Sequence, residues 1–264
     1  VAHEFGLSET TFILPPENPS NTATVRIFTP HMEIPFAGHP NVGTAYVIAN
    51  DKTAATSVSG DTMVFEESGG NVSVSLLYVG GKVCGARITA PQKLYIQRQS
   101  SPAAMAKCLG LPVDQIVTQR FSPCVASAGL PFLFVHLQDL QSLARIDTSA
   151  SEMSDAEAAG LYTADEFSIC AFVLLSVSSS EIHARVRVLN PLSSPPEDPA
   201  TGSAAGALAA LLSDQQGTAE LIVNISQGVE MGKPGEITVV IDPLDSRPRI
   251  GGHCVSAARG ELFL

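Results

Sequence analysis

Two stretches of the chain bring residues that can hold an anion to the start of a helix. Glu197-Asp198-Pro199-Ala200-Thr201-Gly202-Ser203 leads into an alanine- and leucine-rich run over residues 204–212, whose composition strongly favours helix. A helix whose first turn contains Gly202 and Ser203 presents unpaired backbone N–H groups and the positive end of its dipole, and glycine lets a ligand approach the backbone closely. Such a start can bind a carboxylate or phosphate. Phe36-Ala37-Gly38-His39-Pro40, ahead of the apolar run over residues 42–49, repeats the arrangement. His39, directly after Gly38, is placed to donate a proton or a hydrogen bond, and the helix dipole there favours the neutral imidazole. Glu9 lies where a helix stopped at Gly6 hands over to the β-prone residues 10–14. A carboxylate at such a strand mouth can serve as a general base if partial burial raises its pKa; a solvated loop carboxylate is the ordinary alternative.

The elements that position these groups read as a duplication. Val25-Arg26-Ile27-Phe28-Thr29-Pro30 precedes the first glycine site, and Val186-Arg187-Val188-Leu189-Asn190-Pro191 precedes the second, with a loop three residues longer. Each copy runs strand, proline-marked turn, loop, glycine with a polar neighbour, helix. Copies roughly 160 residues apart point to two similar halves rather than a short-repeat solenoid. If the two helix starts face each other across a cleft, a carboxylate-bearing substrate could be held between them. Single glycine-containing helix starts are common, so the argument rests on the pairing.

Composition sets the outer limits. The 264 residues are 45% hydrophobic, enough for a sizeable core. A net charge of −11, without clustered Lys and Arg, argues against a nucleic-acid surface. An acidic protein can still bind a small acid through backbone donors and local dipoles. Cys84, Cys108, Cys124, Cys170 and Cys254 are odd in number and never form a C-x-x-C pair, so they read as free thiols in a reducing, cytoplasmic compartment. No signal peptide and no apolar run of bilayer length is seen, so no membrane partner is expected. His3, His31, His136, His183 and His253 show no metal-ligand spacing on a helix face, and no metal or cofactor is expected.

Alternation predicts strands over residues 23–28, 62–65, 72–78 and 83–89, the last two joined at Gly80-Gly81, and further strands over 132–137, 167–177, 182–189, 219–226, 235–241 and 249–257. Helices are predicted over 102–109, 137–143 and 154–161, with a short element starting at 111–114 and a polar connection over 149–155. Hairpins outnumber βαβ units, so the fold class is α+β, each half a curved sheet around its small-residue helix. The halves are read as residues 1–91 with 250–264, and residues 92–249.

LSETTF (7–12), VRIFTP with PFAGHP (25–40), VRVLNP with EDPATGSAAGAL (186–208), QG…MGKPG (227–235) and the closing GG…V…G (251–260) together resemble the phenazine biosynthesis PhzF-like family of the diaminopimelate epimerase-like fold. The motifs span essentially the whole chain in family order. The resemblance implies two similar domains with the active site in the cleft between them, and a homodimer. It maps the family's acid/base Glu onto Glu9 and its active-site His, Asp and Ser onto His39, Asp198 and Ser203, with Gly38 and Gly202 giving backbone donors and Thr201 lining the substrate site. In related racemases cysteines precede the two glycines; here Ala37 and Thr201 stand there, and neither can be a thiolate base. The family's opening strand and Gly-Asn-Pro segment have no counterpart ahead of Val1, so the N-terminal half is expected to lack its first strand.

These readings converge on a cofactor-independent isomerase of secondary metabolism. Glu9 would move a proton within a small carboxylated, unsaturated or cyclic metabolite, and Asp198 nearby would raise the Glu9 pKa. Two alternatives stay open: a non-catalytic ligand-binding homologue, and a lyase or cyclase using the same carboxylate. For Asp198 a loop or cap role, and for Ser203 an N-terminal capping role, are the ordinary readings.

Overall fold

A computed structural model describes residues 1–51, 60–148, 168–191, 196–218 and 220–262. The chain divides into two compact units, Val1–Thr89 with Gly251–Leu264, and Ala90–Ile250.

In the first unit, α1 (Ala2–Phe5) stops at Gly6, whose φ of 59° is the left-handed cap that glycine adopts without strain. The elements that follow are β1 (Thr10–Leu14), β2 (Ala23–Phe28), β3 (Glu33–Ile34), α2 (Gly38–Asn50), β4 (Thr62–Glu67), β5 (Gly70–Val79) and β6 (Lys82–Thr89). The strand order is β1-β2-β4-β5-β6, with the two-residue β3 pairing β2. Only β2 and β4 run parallel. A parallel pair needs a crossover, and α2 lies within it. Along β2 the alternate residues Ala23, Val25 and Ile27 are buried, and Met63, Phe65, Val74 and Ala86 extend the same apolar face. α2 covers that face with Ala45 and Ile48.

The second unit opens with β7 (Tyr95–Gln99), α3 (Pro102–Cys108), a 3-10 turn (Val113–Gln115), β8 (Cys124–Ser127), β9 (Pro131–His136) and α4 (Leu140–Ala144). It continues with β10 (Ile169–Val177), β11 (Glu181–Leu189), β12 (Glu197–Asp198), α5 (Gly202–Gln216), β13 (Leu221–Gln227), β14 (Gly235–Asp242) and β15 (Asp245–His253), whose residues up to Ile250 lie in this unit. Strand order is β15-β14-β13-β11-β10-β9-β8-β7, with β12 on β11. Residues 204–213 of α5 are all buried, as befits a helix apolar on every side. α5 packs on β8, β9, β13 and β14. Met105, Leu109, Leu133, Val135, Leu143 and Ile169 belong to a core cluster that draws on α3, β9, α4 and β10.

From β1 to β6 and from β10 to β15 the same seven-element order appears, helix included. The first strand pairs antiparallel with the second, the two-residue strand folds back on the second, and the strand after the helix pairs parallel with the second. The duplication seen in two motifs therefore extends across a strand, hairpin and helix set.

The observed class is α+β, a mixed sheet with few helices. Two sequence expectations shift. The strand expected over 249–257 lies earlier, at Asp245–His253, because it forms a hairpin with β14. β7 and β8, absent from the alternation reading, form an antiparallel pair. β8 is buried at every residue, so it shows no alternation. The expected helix over 154–161 and the polar connection over 149–155 lie outside the described residues, as do Phe167 and Ala219.

Candidate active site

In the first unit, β1 and α2 deliver Glu9 and His39 to one point. Glu9 immediately precedes β1, and His39 is the second residue of α2. Thr44 Oγ1, further along α2, donates to Thr11 Oγ1 at 3.0 Å, tying helix to strand close to both residues. His39 Nε2 sits 2.9 Å from Glu9 Oε2, with side chains 39% and 18% exposed. At this distance the imidazole can act on the carboxylate as a hydrogen-bond donor and, when protonated, as a charge. The pair is shielded enough for its electrostatics to matter, yet a substrate can reach the imidazole.

The direction of the Glu9 shift corrects the sequence expectation. Burial alone pushes its carboxyl upward, but the close His39 imidazole and its charge, with the Ser8 hydroxyl, outweigh burial and hold the pKa below the ordinary carboxylate value. Glu9 is therefore a carboxylate at neutral pH, already in the form that accepts a proton. Asp198 belongs to the other unit.

The second helix start is built from hydrogen bonds among Asp198, Thr201 and Gln227. Asp198 Oδ2 accepts from Thr201 Oγ1 at 2.6 Å. Gln227, at the end of β13 and 1% exposed, donates through Nε2 to Asp198 O at 2.8 Å and Thr201 Oγ1 at 3.0 Å, and accepts from Thr201 N–H at 3.2 Å. Asp198 and Thr201, expected to face substrate, are thus also structural partners. The backbone turns into α5 at Thr201, with Gly202 buried and Ser203 half-buried beyond it. Ser203 is therefore inside the helix rather than its cap.

Both starts share a frame that the sequence reading missed. Arg26 on β2 makes a bidentate pair with Glu33, with Nε–Oε1 at 2.9 Å and Nη2–Oε2 at 2.6 Å. Arg187 on β11 does the same with Glu197 at 2.9 and 2.8 Å, and also donates to Leu143 O at 2.9 Å. In each copy the Glu lies on the two-residue strand five positions before the helix glycine. Aligning Glu33-Ile34-Pro35-Phe36-Ala37-Gly38 with Glu197-Asp198-Pro199-Ala200-Thr201-Gly202 would have revealed it.

No helix among the described residues is long and apolar enough to cross a membrane. Among them, no group of three or more His, Cys, Asp or Glu residues could hold a metal ion.

Residues 1–260 match the profile of the family described as "Phenazine biosynthesis-like protein". An uncharacterized isomerase of Mesorhizobium japonicum is 36% identical over 273 residues, covering 100% of this chain and 87% of its own length. The trans-2,3-dihydro-3-hydroxyanthranilate isomerase of Pseudomonas aeruginosa is 30% identical over 271 residues, with the same coverage of 100% and 87%. Among solved structures, a phenazine biosynthesis protein of the PhzF family from Bacillus anthracis superposes with a TM-score of 0.75 over 95% of this chain and 82% of its own; at 20% identity it shows the fold. With the family profile spanning nearly the whole chain and the relatives named as isomerases, this protein belongs to the PhzF-type, phenazine biosynthesis-like family of isomerases.

Proposed function

We propose that this isomerase moves a proton between carbons of a small carboxylated, unsaturated or cyclic metabolite, without a cofactor. The Glu9–His39 pair at the start of α2 carries the reading. A partly buried carboxylate held ionised beside an imidazole is a base ready to accept a proton. Glu9 takes the proton as the substrate C–H bond breaks, and the electron pair passes into the conjugated system as an enolate-like anion. The Glu9 carboxylic acid then returns the proton to another carbon, which restores both the carboxylate and the electron count. Backbone N–H groups in the first turn of α2, at Gly38 and His39, stabilise the transient negative charge, and His39 orients the substrate and keeps Glu9 ionised between turnovers. The helix start of the second unit, with Gly202, Ser203 and Asp198 beside Thr201, is a second set of substrate-holding groups.

The Pseudomonas aeruginosa relative supplies the first compound to try, trans-2,3-dihydro-3-hydroxyanthranilate. Chromatographic product analysis with this acid and a panel of related cyclic and unsaturated carboxylates tests the reading. An isomeric product of unchanged mass is expected, lost in Glu9→Gln. Loss of water or of another fragment would make the enzyme a lyase, and binding without conversion of any acid would favour a ligand-binding role. Ser203→Ala and Asp198→Asn are expected to raise KM more than they lower kcat, as groups that hold the substrate do.

A further inference from the structure

The duplication places Glu67 where the second unit has Gln227. Ala23 pairs with Phe65 and Thr24 with Glu66 across β2 and β4, while Ala184 pairs with Ile225 and Arg185 with Ser226 across β11 and β13. Glu67 and Gln227 are the next residues, and each closes its hairpin, Glu67 opposite Gly70 and Gln227 opposite Gly235. Gln227 holds the residue before the helix glycine, Thr201, through its N–H and its hydroxyl. In the first unit the corresponding residue is Ala37, whose carbonyl accepts from Asn41 Nδ2 at 3.0 Å. Asn41 is fully buried, and it is the side chain that Glu67 meets.

The polar atoms at this junction have no donors. Both Glu67 carboxyl oxygens and Asn41 Oδ1 are buried without a hydrogen-bond partner among the described residues. Asn41 commits an amide N–H to Ala37, and its Oδ1 and the two Glu67 oxygens can only accept while Glu67 is ionised, so bringing two of them together would cost free energy. A proton on Glu67 resolves this, for a carboxylic acid donates where a carboxylate cannot, and it has the shape and neutrality of the glutamine in the other unit. Burial acts in the same direction and pushes the carboxyl up to about 7. Burial is the larger influence on it, Asn41 offsets part of that by lowering the pKa, and no charged group acts beside them. Its neighbour Glu66 is spent elsewhere, accepting from Glu17 N, Asn18 N, Asn21 Nδ2 and Thr24 Oγ1.

We propose that Glu67 is a positioning residue for the proton-transfer pair: as the carboxylic acid it donates to Asn41 Oδ1, and Asn41 in turn fixes Ala37 and the first turn of α2 that presents Gly38 and His39. Ionisation of Glu67 removes the donor and loosens that turn, so the state of one buried carboxyl governs the geometry at another. The effect on catalysis rests on the function proposed above, while the protonation state does not.

Two experiments separate them. Infrared difference spectra of the unliganded protein between pH 6 and pH 9 are expected to show a buried carboxylic acid band that ionises across the interval and is absent in Glu67→Gln. The pH profile of proton exchange into the carboxylate that proves active is expected to match wild type within about twofold at pH 6 in Glu67→Gln and to lack one alkaline limb. Glu67→Ala is expected to lower kcat by about tenfold or more, rescued by glutamine, since a misplaced catalytic group is costly. A carboxyl already ionised at pH 6, or a Glu67→Gln enzyme as impaired as Glu67→Ala, would overturn the proposal. If no acid is turned over, the infrared result still decides whether Glu67 is held as the acid.

Discussion

The two helix starts, at Gly38 and at Gly202, are one frame filled with two chemistries. Each has a strand carrying an arginine, a two-residue strand carrying its glutamate partner, a proline, a glycine, and a residue at the end of the following strand that holds the loop. The first copy places titratable groups in that frame: His39 against Glu9, and Glu67 against Asn41. The second uses Asp198, Thr201 and Gln227 in a closed network of hydrogen bonds. Where the first has Glu9 ahead of its opening strand, the second has Ser168, whose Oγ donates to Asn190 Oδ1 at 2.6 Å. A duplicated fold can thus supply rigidity from one copy and proton chemistry from the other, because polar satisfaction in one leaves orphaned groups to do work in the other.

The arginine clamps give the largest expected contrast. Arg187 and Glu197 are 12% and 13% exposed, whereas Arg26 and Glu33 are 50% and 34% exposed. Arg187→Ala leaves a nearly buried carboxylate unpaired and should cost about 3 kcal/mol or more by denaturant unfolding. Arg26→Ala, which breaks an exposed pair, should change stability far less. Equal costs would show that the two clamps do not differ as their burial implies.

Exchanging the loop-holding residues tests the comparison further. Gln227→Ala strands Thr201 N–H and Asp198 O and should cost about 2 kcal/mol. Gln227→Glu should be tolerated at low pH and destabilise the protein as pH rises, which would import the behaviour of Glu67 into the second unit. For Glu67 itself the folded pKa of about 7 stands above the unfolded value of 4.5. Its contribution is therefore fully present below about pH 4.5, declines as pH rises, and is lost above about 7. The change, moderated by solvent at this partly exposed residue, should vanish from the pH dependence of Glu67→Gln.

Gly206 offers a smaller test. A Cβ there would lie 2.8 Å from Ile250 Cδ1, since α5 packs closely under β15, so Gly206→Ala should cost about 1 to 2 kcal/mol. At Gly202 a Cβ would meet only Ile250 Cγ2, at 3.4 Å. Gly202→Ala should therefore keep most of the stability, and a fall in activity there would report a ligand close to the backbone.

The elements around the candidate site were legible because their signals are local. Alternation marks β2, the glycine and small-residue run mark α2 and α5, and the repeated strand-proline-glycine order exposes the duplication. Glu9 and His39 were legible as separate residues, and through the resemblance as partners. What was not legible depends on packing. β8 is apolar at every position because it is buried at every position, so it offers no period. The lowered pKa of Glu9 needs the His39 distance, since burial alone predicts the opposite sign. Glu67 and Asn41 become visible only when strand register aligns Glu67 with Gln227.

The central claim is that Glu9, held ionised by His39, transfers the proton. Solvent-deuterium incorporation followed by mass spectrometry, in wild type, Glu9→Gln and His39→Asn, tests it most directly with trans-2,3-dihydro-3-hydroxyanthranilate and related acids. Wild type should introduce deuterium at carbon, Glu9→Gln should lose about a thousandfold or more of that rate, and His39→Asn should fall between them. Deuterium incorporation that survives in Glu9→Gln at the wild-type rate would contradict the account and assign the base to another residue.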